Sequence, residues 1–430
     1  MDYNFSVICL GIDIQMRITM LTPYFPPEMG APPARLYELA VCLHKYGHEL
    51  TVVTAFPNRP HGKIFEGYRN KFRMVEDMDG IKVIRTWIKP SASSSSFVTR
   101  AINDLSFIWS SGWMSAKLLG KQDVILVQNP PLFAVFSAKY LRRKTGAKIV
   151  MWCGDVWPDV LLEGGQLKPG LMVSLMHKLQ QHSFSNSSLL AVTNPRVAED
   201  TQKNYRCPRV TIWSNGVDTE LFHPEQRSQA VRESFGAGDQ DFLVGYVGLH
   251  GRFQGLDAVL DAAHLLKEVK KIKFILIGDG VEKERLKQKA ESLALANLKF
   301  YDSRPKEEMP GIVASCDVSV VSLVNRMPGT MPSKFYEALA SGSIPLVADG
   351  CEAAPLVGRH NAGVVYEPMD GQSAADALMS LAEKKPDDIQ SMKSNAINLA
   401  KRFDREKLAR FVEQTLFALA EGRELPDYQW

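Results

Sequence analysis

The strongest constraint on the fold is an alternation of short apolar runs with helical patterns, which occurs twice along the chain. Within each run the apolar residues are continuous, which is typical of strands buried on both faces of a parallel sheet. Two successive series of this kind predict two Rossmann-like α/β domains. The runs lie at 17–22, 49–55, 81–87, 123–128, 147–153 and 187–193, and then at 241–248, 273–280, 298–302, 318–323, 344–349 and 362–368.

The length of 430 residues agrees with two domains, because single cores rarely grow beyond about 250–300 residues. The second series begins after a join near 205–220. We therefore expect one domain over 16–206 and a second over 207–400. A polar helical stretch at about 386–423 leads into a C-terminal helix and tail, which we assign to 401–430.

The composition is that of a globular protein, with 45% hydrophobic and 23% charged residues. A net charge of +3 gives no electrostatic case for nucleic acid. Six scattered cysteines contain no C-x-x-C pair, so neither a zinc site nor a disulfide framework is indicated. A reducing cytoplasm fits this cysteine usage best.

The N-terminal apolar run, Val7 to Ile14, is short and lacks a preceding basic region. We do not interpret it as a signal peptide, and we expect that residues 1–15 precede the true start at Met16. No run of about 18 apolar residues occurs, so no membrane-spanning helix is predicted.

One segment, 91–119, interrupts the alternation. It contains a serine run and then a helical pattern with several large apolar residues, including Trp109 and Trp113. Two interpretations stay open: a helix that faces the core, or a surface that touches a membrane or a lipid-linked substrate. A basic run at 139–144 is a second candidate for membrane contact, although such runs are usually solvated helix faces.

The stretch MPSKFYEALASGSIPLVAD, residues 331–349, places Lys334 and Glu337 in the first turn of a predicted helix. A helix start offers free N–H groups and a positive dipole, which favour phosphate, and Lys334 adds a full charge. Glu337 can accept hydrogen bonds from sugar hydroxyls. The pair therefore fits a nucleotide, with lysine on the diphosphate and glutamate on the ribose. The alternative is a solvated i,i+3 ion pair of little energetic weight.

Glycine turns follow several predicted strands. Gly30 lies among prolines after the first strand, and Gly248 and Gly278 follow two strands of the second series. Glycine allows the backbone to approach a phosphate or sugar closely. Neither G-x-x-x-x-G-K-[ST] nor a G-x-G-x-x-G after the first strand occurs, so a P-loop NTPase and a dinucleotide redox enzyme are both disfavoured.

Several ordered motifs resemble glycosyltransferase family 4, whose members have the GT-B fold. The resemblance covers Met16 to about Arg410, and it is closest to the branch that builds bacterial surface polysaccharides, including N-acetyl-L-fucosamine transferases. The motifs are GHELTVVTAFPNRPHG (47–62), GDVWPD (154–159), SNGVDTELF (214–222), QGLDAVLDAA (254–263), IGDG (277–280) and PSKFYEALASGSIPLVAD (332–349).

The resemblance implies two domains that face each other across a cleft, with the C-terminal helix crossing back to the first domain. The donor, a nucleotide diphosphate sugar, binds mainly the second domain, and the acceptor binds mainly the first. Transfer retains the anomeric configuration, generally without a metal or another cofactor. The branch implies UDP as the donor nucleotide and GDP as the second choice. The acceptor is expected to be a saccharide on a polyprenyl diphosphate at the inner face of the cytoplasmic membrane.

Carried over residue by residue, the resemblance implies that Glu337 binds the ribose hydroxyls and that Lys334 and Arg252 bind the diphosphate. Gly30 lets its loop reach the β-phosphate, and the segment 303–305 contacts the base. The expected nucleotide site comprises Gly30, Gly248, Arg252, Gly278, Ser303, Arg304, Ser333, Lys334 and Glu337. The expected catalytic set is Asp155, Lys334 and Glu337, with no metal ligand.

Three positions depart from the family pattern. Gly329 stands where many relatives carry the first glutamate of an E-x7-E motif, Gln254 where many carry lysine, and Gly154 where many carry histidine. Asp155 is then the best polar group at its strand end, where it could orient an acceptor hydroxyl or stabilise positive charge at the anomeric carbon. Its structural alternative is a helix N-cap before VWPDVL. His48 is interpreted as structural, and His250 could approach the phosphate.

Two other functions remain open. A nucleotide-sugar 2-epimerase shares the double-Rossmann architecture but needs acid–base side chains that this chain offers sparsely. A non-catalytic subunit of a polysaccharide assembly complex is consistent with the three departures. Failure to bind any nucleotide would favour this second alternative.

Overall fold

The structure is a computed structural model in which two compact units are distinguished. It describes residues 15–59, 61–92, 97–163, 167–428 and 430, so the expectation about residues 1–15 falls almost wholly outside the described residues. The first unit comprises 15–192, 201–211 and 411–428, and the second comprises 193–200, 212–410 and Trp430. The predicted domain ranges differ from these units in assigning 193–200 to the first domain and 207–211 to the second.

The elements up to residue 212 follow the predicted alternation. In chain order they are β1 (Arg17–Leu21), α1 (Ala31–Lys45), β2 (Glu49–Ala55), β3 (Arg73–Met78), β4 (Ile81–Thr86), α2 (Phe97–Ser115), β5 (Val124–Asn129), α3 (Ala134–Thr145), β6 (Lys148–Cys153), α4 (Asp159–Glu163), α5 (Leu171–Ser185), β7 (Leu189–Val192), α6 (Pro195–Asn204) and β8 (Arg209–Ile212).

The remaining elements repeat the pattern. They are α7 (Gln229–Ser234), β9 (Phe242–Val247), α8 (Asp257–Leu265), β10 (Ile272–Ile277), α9 (Lys283–Ser292), β11 (Leu298–Tyr301), α10 (Met309–Ser315), β12 (Val318–Val321), α11 (Ser333–Ala340), β13 (Ile344–Ala348), α12 (Ala353–His360), β14 (Val364–Tyr366), α13 (Gly371–Ala382), α14 (Pro386–Ala400) and α15 (Arg405–Glu421).

Each unit is built on one twisted sheet. The strand orders are β3-β4-β2-β1-β5-β6-β7-β8 and β11-β10-β9-β12-β13-β14. Both are doubly wound orders that reverse direction beside their first strand, at β1–β5 in one sheet and at β9–β12 in the other. Ligands of such sheets bind beyond the carboxyl ends of the strands at this reversal, which places the candidate sites at the loops after β1, β5, β9 and β12.

Strand β3 has no counterpart among the predicted strands. Its residues alternate between exposed and half-buried positions because it is an antiparallel edge strand paired only with β4. The two-residue turn between them is Asp79–Gly80, with φ angles of 54° and 79°. Asp-Gly between two strands is a strong sequence signal for such a hairpin.

The C-terminal helical stretch consists of two helices, α14 and α15, separated at residues 401–404. Within the first unit, Glu413 of α15 lies 3.0 Å from His48 Nε2, and the His48 Nδ1 accepts a hydrogen bond from the Met16 N–H. Lys148 donates to the carbonyl of Leu419 at 2.6 Å. His48 therefore has a structural role in this unit, in agreement with its interpretation from the sequence.

No helix in the described part of the chain is both long and apolar enough to cross a bilayer. This agrees with the absence of a long apolar run in the sequence.

A buried charge cluster anchors the start of β12 in the second unit. Asp317 lies 2.8 Å from Arg227 and 2.9 Å from the fully buried Arg232, and it accepts the N–H of Leu243 at 2.9 Å. Desolvation disfavours the charged carboxylate, but the Leu243 N–H and the two guanidinium groups outweigh it, so the pKa of Asp317 lies below its usual value. The ionised group therefore stabilises the folded unit.

We expect that Asp317→Asn lowers the free energy of unfolding at pH 7 by about 3–5 kcal/mol, because it leaves two arginines without their counter-charge. A depressed pKa gives stability that is complete above the unfolded-state value and is lost as the pH falls through the folded-state value. The deficit of the variant should therefore shrink below about pH 4. Urea unfolding of the full chain across pH measures it, with the exposed Asp239→Asn as the control. A deficit that does not change with pH would contradict this account.

Candidate active site

Two glycine turns meet at the carboxyl ends of β9 and β10. Gly278 has a φ of +143°, and a Cβ atom there would lie 1.9 Å from the carbonyl oxygen of Gly248. The Gly248 N–H donates to the Ile277 carbonyl at 2.9 Å, which locks the turns together. Any side chain at Gly278 would force the loops apart, so glycine is required for this contact. The structure thus brings together two residues of the predicted nucleotide site.

Lys334 fills the space beside these turns. It is the second residue of α11, and its Cε and Nζ would lie 2.4 and 2.8 Å from a Cβ atom at Gly248. The ammonium lies 5.1 Å from the centre of the Tyr246 ring. Burial lowers the pKa of Lys334, and the negative charge of Glu337 opposes that effect. The site therefore holds a poorly hydrated cation beside the N-terminus of a helix, an arrangement that favours an anion.

Glu337 lies one turn further along α11 and is half-buried. Burial raises the pKa of its carboxyl group, while the positive charges of Lys334, Arg405 and Lys306 act in the opposite direction. Positions i and i+3 share one helix face. The pair is thus partly desolvated, which contradicts the alternative of a fully solvated surface pair.

The structure adds Tyr246 to the residues around Lys334. Tyr246 carries the ring beside the ammonium, and its hydroxyl contacts Gln254 Oε1 at 3.2 Å and the Leu249 carbonyl at 2.7 Å. Gln254 thus helps to fix the tyrosine. The role of Tyr246 could not be predicted from the sequence, because within β9 it resembles any other buried apolar residue.

His250 is fully buried between the two turns, and neither ring nitrogen has a hydrogen-bond partner within the described part of the protein. Desolvation, followed by the charge of Lys283, lowers its pKa to about 4. The imidazole is therefore neutral near pH 7, and it adds no charge for a phosphate to contact.

The other residues predicted to contact the nucleotide are exposed. The Arg252 side chain is 79% exposed and lies 3.6 Å from Glu282. Ser303 and Arg304 are exposed in the loop after β11, two strands from β9, and Ser333 is exposed at the first position of α11. Ser333 directly precedes Lys334 at the start of α11, and the contacts of Arg252, Ser303 and Arg304 with a nucleotide stay a prediction.

The backbone at Gly329 explains the first departure from the family pattern. Its φ is +77°, and a Cβ atom would lie 3.0 Å from Val197 Cγ2. The Gly329 N–H donates to Glu352 Oε1 at 3.0 Å, and its carbonyl accepts from Asn194 Nδ2 at 2.9 Å. A glutamate at this position would be strained, so the loop conformation itself requires glycine.

In the first unit, the loop after β1 leads directly into α1. Gly30, with a φ of +137°, is the N-cap residue of this 15-residue helix. The buried carboxylate of Glu28 fastens the loop, because its Oε1 accepts the N–H groups of Asn58 and Arg59 at 2.7 and 3.0 Å. Gly30 thus lies at a helix start with a fixed loop, as its predicted role requires.

Asp155 follows the end of β6, close to Arg35 of α1. Desolvation raises the pKa of Asp155, and the positive charge of Arg35 opposes this shift. Helix α4 begins only at Asp159, so Asp155 is not its N-cap, and that alternative is wrong. Asp155 is therefore available for a role other than capping.

Arg35, which the sequence analysis did not single out, is held beside Asp155. Its guanidinium lies 4.4 Å from the centre of the Trp152 ring, and its Nη2 would be 3.4 Å from a Cβ atom at Gly154. A larger side chain at Gly154 would compete for this space. Where many relatives carry histidine, this chain thus has Gly154, and the guanidinium of Arg35 lies beside it at the same strand end.

No group of three or more His, Cys, Asp or Glu side chains is arranged to hold a metal ion within the described ranges. The negative charge of a phosphate at the site described above would be balanced by Lys334 and the N-terminus of α11.

Comparison with known families assigns both halves of the chain. Residues 34–221 match Glycosyltransferase Family 4, and residues 228–399 match Glycosyl transferases group 1.

Among curated proteins, the chain is 24% identical over 335 residues to WcaI of Escherichia coli K12, named as a colanic acid biosynthesis glycosyl transferase. That match covers 76% of this chain and 82% of WcaI. The chain is also 26% identical to the glycosyltransferase WbjE of Pseudomonas aeruginosa, over 61% of this chain and 66% of WbjE.

Among solved structures, Anabaena HepE in complex with UDP matches with a TM-score of 0.70 at 19% identity, over 94% of this chain and all of that one. This likeness supports the fold alone. The two predicted Rossmann-like domains are confirmed, and the chain belongs to the GT-B glycosyltransferases, with a family 4 region followed by a group 1 region.

Proposed function

We propose that the protein is a retaining glycosyltransferase of bacterial surface polysaccharide biosynthesis. It moves a sugar from a nucleotide diphosphate sugar, with UDP as the first choice, to a saccharide on a lipid carrier. The observation that carries the proposal is the partly desolvated Lys334, held against Gly248 at the start of α11.

The argument for a diphosphate is electrostatic. A poorly hydrated ammonium is costly unless it has an anionic partner, and Glu337 offsets this cost only in part, because the pKa of Lys334 remains lowered. A phosphate beside Lys334 would also accept free N–H groups of α11. In the transition state the leaving diphosphate gains charge, so the same groups stabilise it more strongly than the bound donor.

The argument for a nucleotide rests on Glu337 and on the loop at 303–305. Glu337 can accept hydrogen bonds from ribose hydroxyls one helical turn from the phosphate position. The exposed loop after β11 leaves backbone groups free for a base. Uracil is the first choice because the branch resemblance implies it and because HepE, a relative in fold, binds UDP.

For the transfer step we assign the proton to a donor phosphate oxygen, which requires no strong protein base. Asp155 orients the acceptor hydroxyl or stabilises positive charge at the anomeric carbon. Arg35 is its positioning partner, since the guanidinium is held on Trp152 beside Gly154. No cofactor or metal is assigned to the reaction.

Two alternatives are weaker. An epimerase needs an acid–base pair near the sugar, and the neutral His250 is buried without a hydrogen-bond partner among the described residues. A non-catalytic subunit would not need a desolvated Lys334.

The proposal also includes the acceptor class and a peripheral location at the inner membrane face. It is supported by the likeness to WcaI, which is named for colanic acid biosynthesis.

Lys334→Met should weaken the binding of UDP and of pyrophosphate by about 10- to 100-fold, since a charged hydrogen bond contributes about 1.5–3 kcal/mol. Isothermal titration calorimetry with EDTA and with Mg²⁺ measures both ligands. Lys287→Met is the control, because Lys287 pairs with Glu284 at the surface of α9. Unchanged affinity for both ligands would contradict the diphosphate assignment.

Glu337→Gln keeps the shape of the side chain but loses acceptor charge. We expect about tenfold weaker binding of UDP and unchanged binding of pyrophosphate, which has no ribose. An equal loss for both ligands would show that Glu337 acts through Lys334 instead of contacting the sugar ring.

Asp155→Asn should lower turnover by about 100-fold or more while the UDP affinity stays the same. Turnover is measured as UDP release from a panel of UDP-sugars in the presence of lipid-linked saccharides. Asp77→Asn, at an exposed position of β3, is the control. Full activity of Asp155→Asn would exclude Asp155 from the reaction.

A further inference from the structure

Helix α2 exposes its apolar face. The side chains of Trp109 and Trp113 are 60% and 62% exposed and stack on each other with ring centres 5.6 Å apart. Other exposed apolar residues lie three or four positions before them, which places the whole set on one helix face. The set is Val98, Ile102, Leu105, Trp109 and Trp113.

The inward face of α2 is largely polar. Asn103 donates to the Lys89 carbonyl at 2.6 Å, and Ser111 shares a hydrogen bond of 2.9 Å with Ser137 of α3. Ser110 contacts Thr86 Oγ1 at 3.1 Å. These inward side chains are buried, although Phe107 and Ile108 also contribute to the packing. Each of the two interpretations from the sequence thus holds for part of α2, because Phe107 and Ile108 are buried in the core whereas Trp109 and Trp113 are exposed.

The exposed apolar face continues onto two neighbouring helices. Gly112 of α2 lies close to Tyr140 of α3, whose exposed residues also include Phe136. Phe136 stacks on His182 of α5 with ring centres 5.4 Å apart. Helix α5 also exposes three large apolar side chains, Leu171, Met172 and Leu175, in its first turns, whereas His182 lies near its last turn. We call the exposed apolar residues of α2, α3 and α5 the apolar face.

The same three helices are strongly basic. They carry six Lys or Arg residues and one acidic residue, Asp104, whereas the whole chain has a net charge of only +3. Arg143, Lys144 and Lys178 are exposed. Lys144 also lies 5.8 Å from the centre of the Tyr140 ring, so positive charge directly borders the aromatic residues.

We propose that the apolar face docks on an anionic phospholipid bilayer. Tryptophan and tyrosine favour the headgroup region, and bordering lysines and arginines attract anionic lipids. A second copy of the chain fits less well, because two such faces would bring like charges together. The inference deepens the proposed function, since it rests on a lipid-linked acceptor, and it names the surface that reaches the membrane.

The test is co-sedimentation of the full chain with vesicles of phosphatidylcholine, with or without phosphatidylglycerol. We expect binding only to the anionic vesicles. Trp109→Ser with Trp113→Ser should lower the partition coefficient by about tenfold or more. Arg143→Gln with Lys144→Gln should lower it by about 30-fold and weaken its salt dependence.

Control variants come from the second unit. Leu265→Ser removes an exposed apolar side chain, and Lys267→Gln with Lys270→Gln removes two exposed charges. Both variants should bind vesicles as the unchanged protein does. Equal vesicle binding by the tryptophan variant would overturn the proposal. A dimer that the tryptophan substitutions dissociate in sedimentation velocity would do so as well.

Calorimetry with UDP on the same variants separates the two proposals. Normal UDP binding without vesicle binding would reject only the docking surface. Anionic vesicle binding that depends on the tryptophans, without any nucleotide binding, would reject only the proposed transferase activity.

Discussion

The close approach of two glycine turns determines the position of every other group in the candidate donor site. Gly278 can lie against the Gly248 carbonyl only because Gly278 has no side chain, and Lys334 can lie against Gly248 only because Gly248 has none. The space left beside Gly248 is filled by Lys334, whose position on α11 is fixed by the strand reversal at β9–β12. The cation is thus held in place before any ligand arrives, and such preorganisation is how proteins stabilise charge that develops during a reaction.

The first unit repeats this arrangement with different side chains. Its strand reversal lies at β1–β5, Gly30 begins α1, and Arg35 follows one turn later. The guanidinium of Arg35 packs on the Trp152 ring, with room beside Gly154, whereas Lys334 in the second unit packs on the glycine turn at Gly248. A doubly wound sheet thus provides the same kind of location twice, and the side chains determine which chemistry each location supports.

Most of the fold was predictable because buried parallel strands leave a continuous apolar signal. Edge strand β3 was not predicted, because its alternation of exposed and half-buried residues resembles that of a loop. Asp79–Gly80 nevertheless marks the turn that follows it. In the site, Lys334, Gly248 and Gly278 were predictable from motif and turn chemistry. Arg35 and Tyr246 were not, because their roles arise from contacts between elements. The orientation of α2 also depends on which helix face the sheet covers, and periodicity alone does not give that choice.

The conformation of Gly329 limits what a substitution at this position can restore. Its φ is +77° and its N–H is bound by Glu352, so glycine at this position is coupled to the conformation of the whole loop. A glutamate at 329 would be strained in the left-handed region, and a loop that moved to relieve the strain would break the backbone contacts of Glu352 and Asn194. Substitution of glutamate at this one position would therefore not rebuild the family motif, because the loop around it would have to change as well.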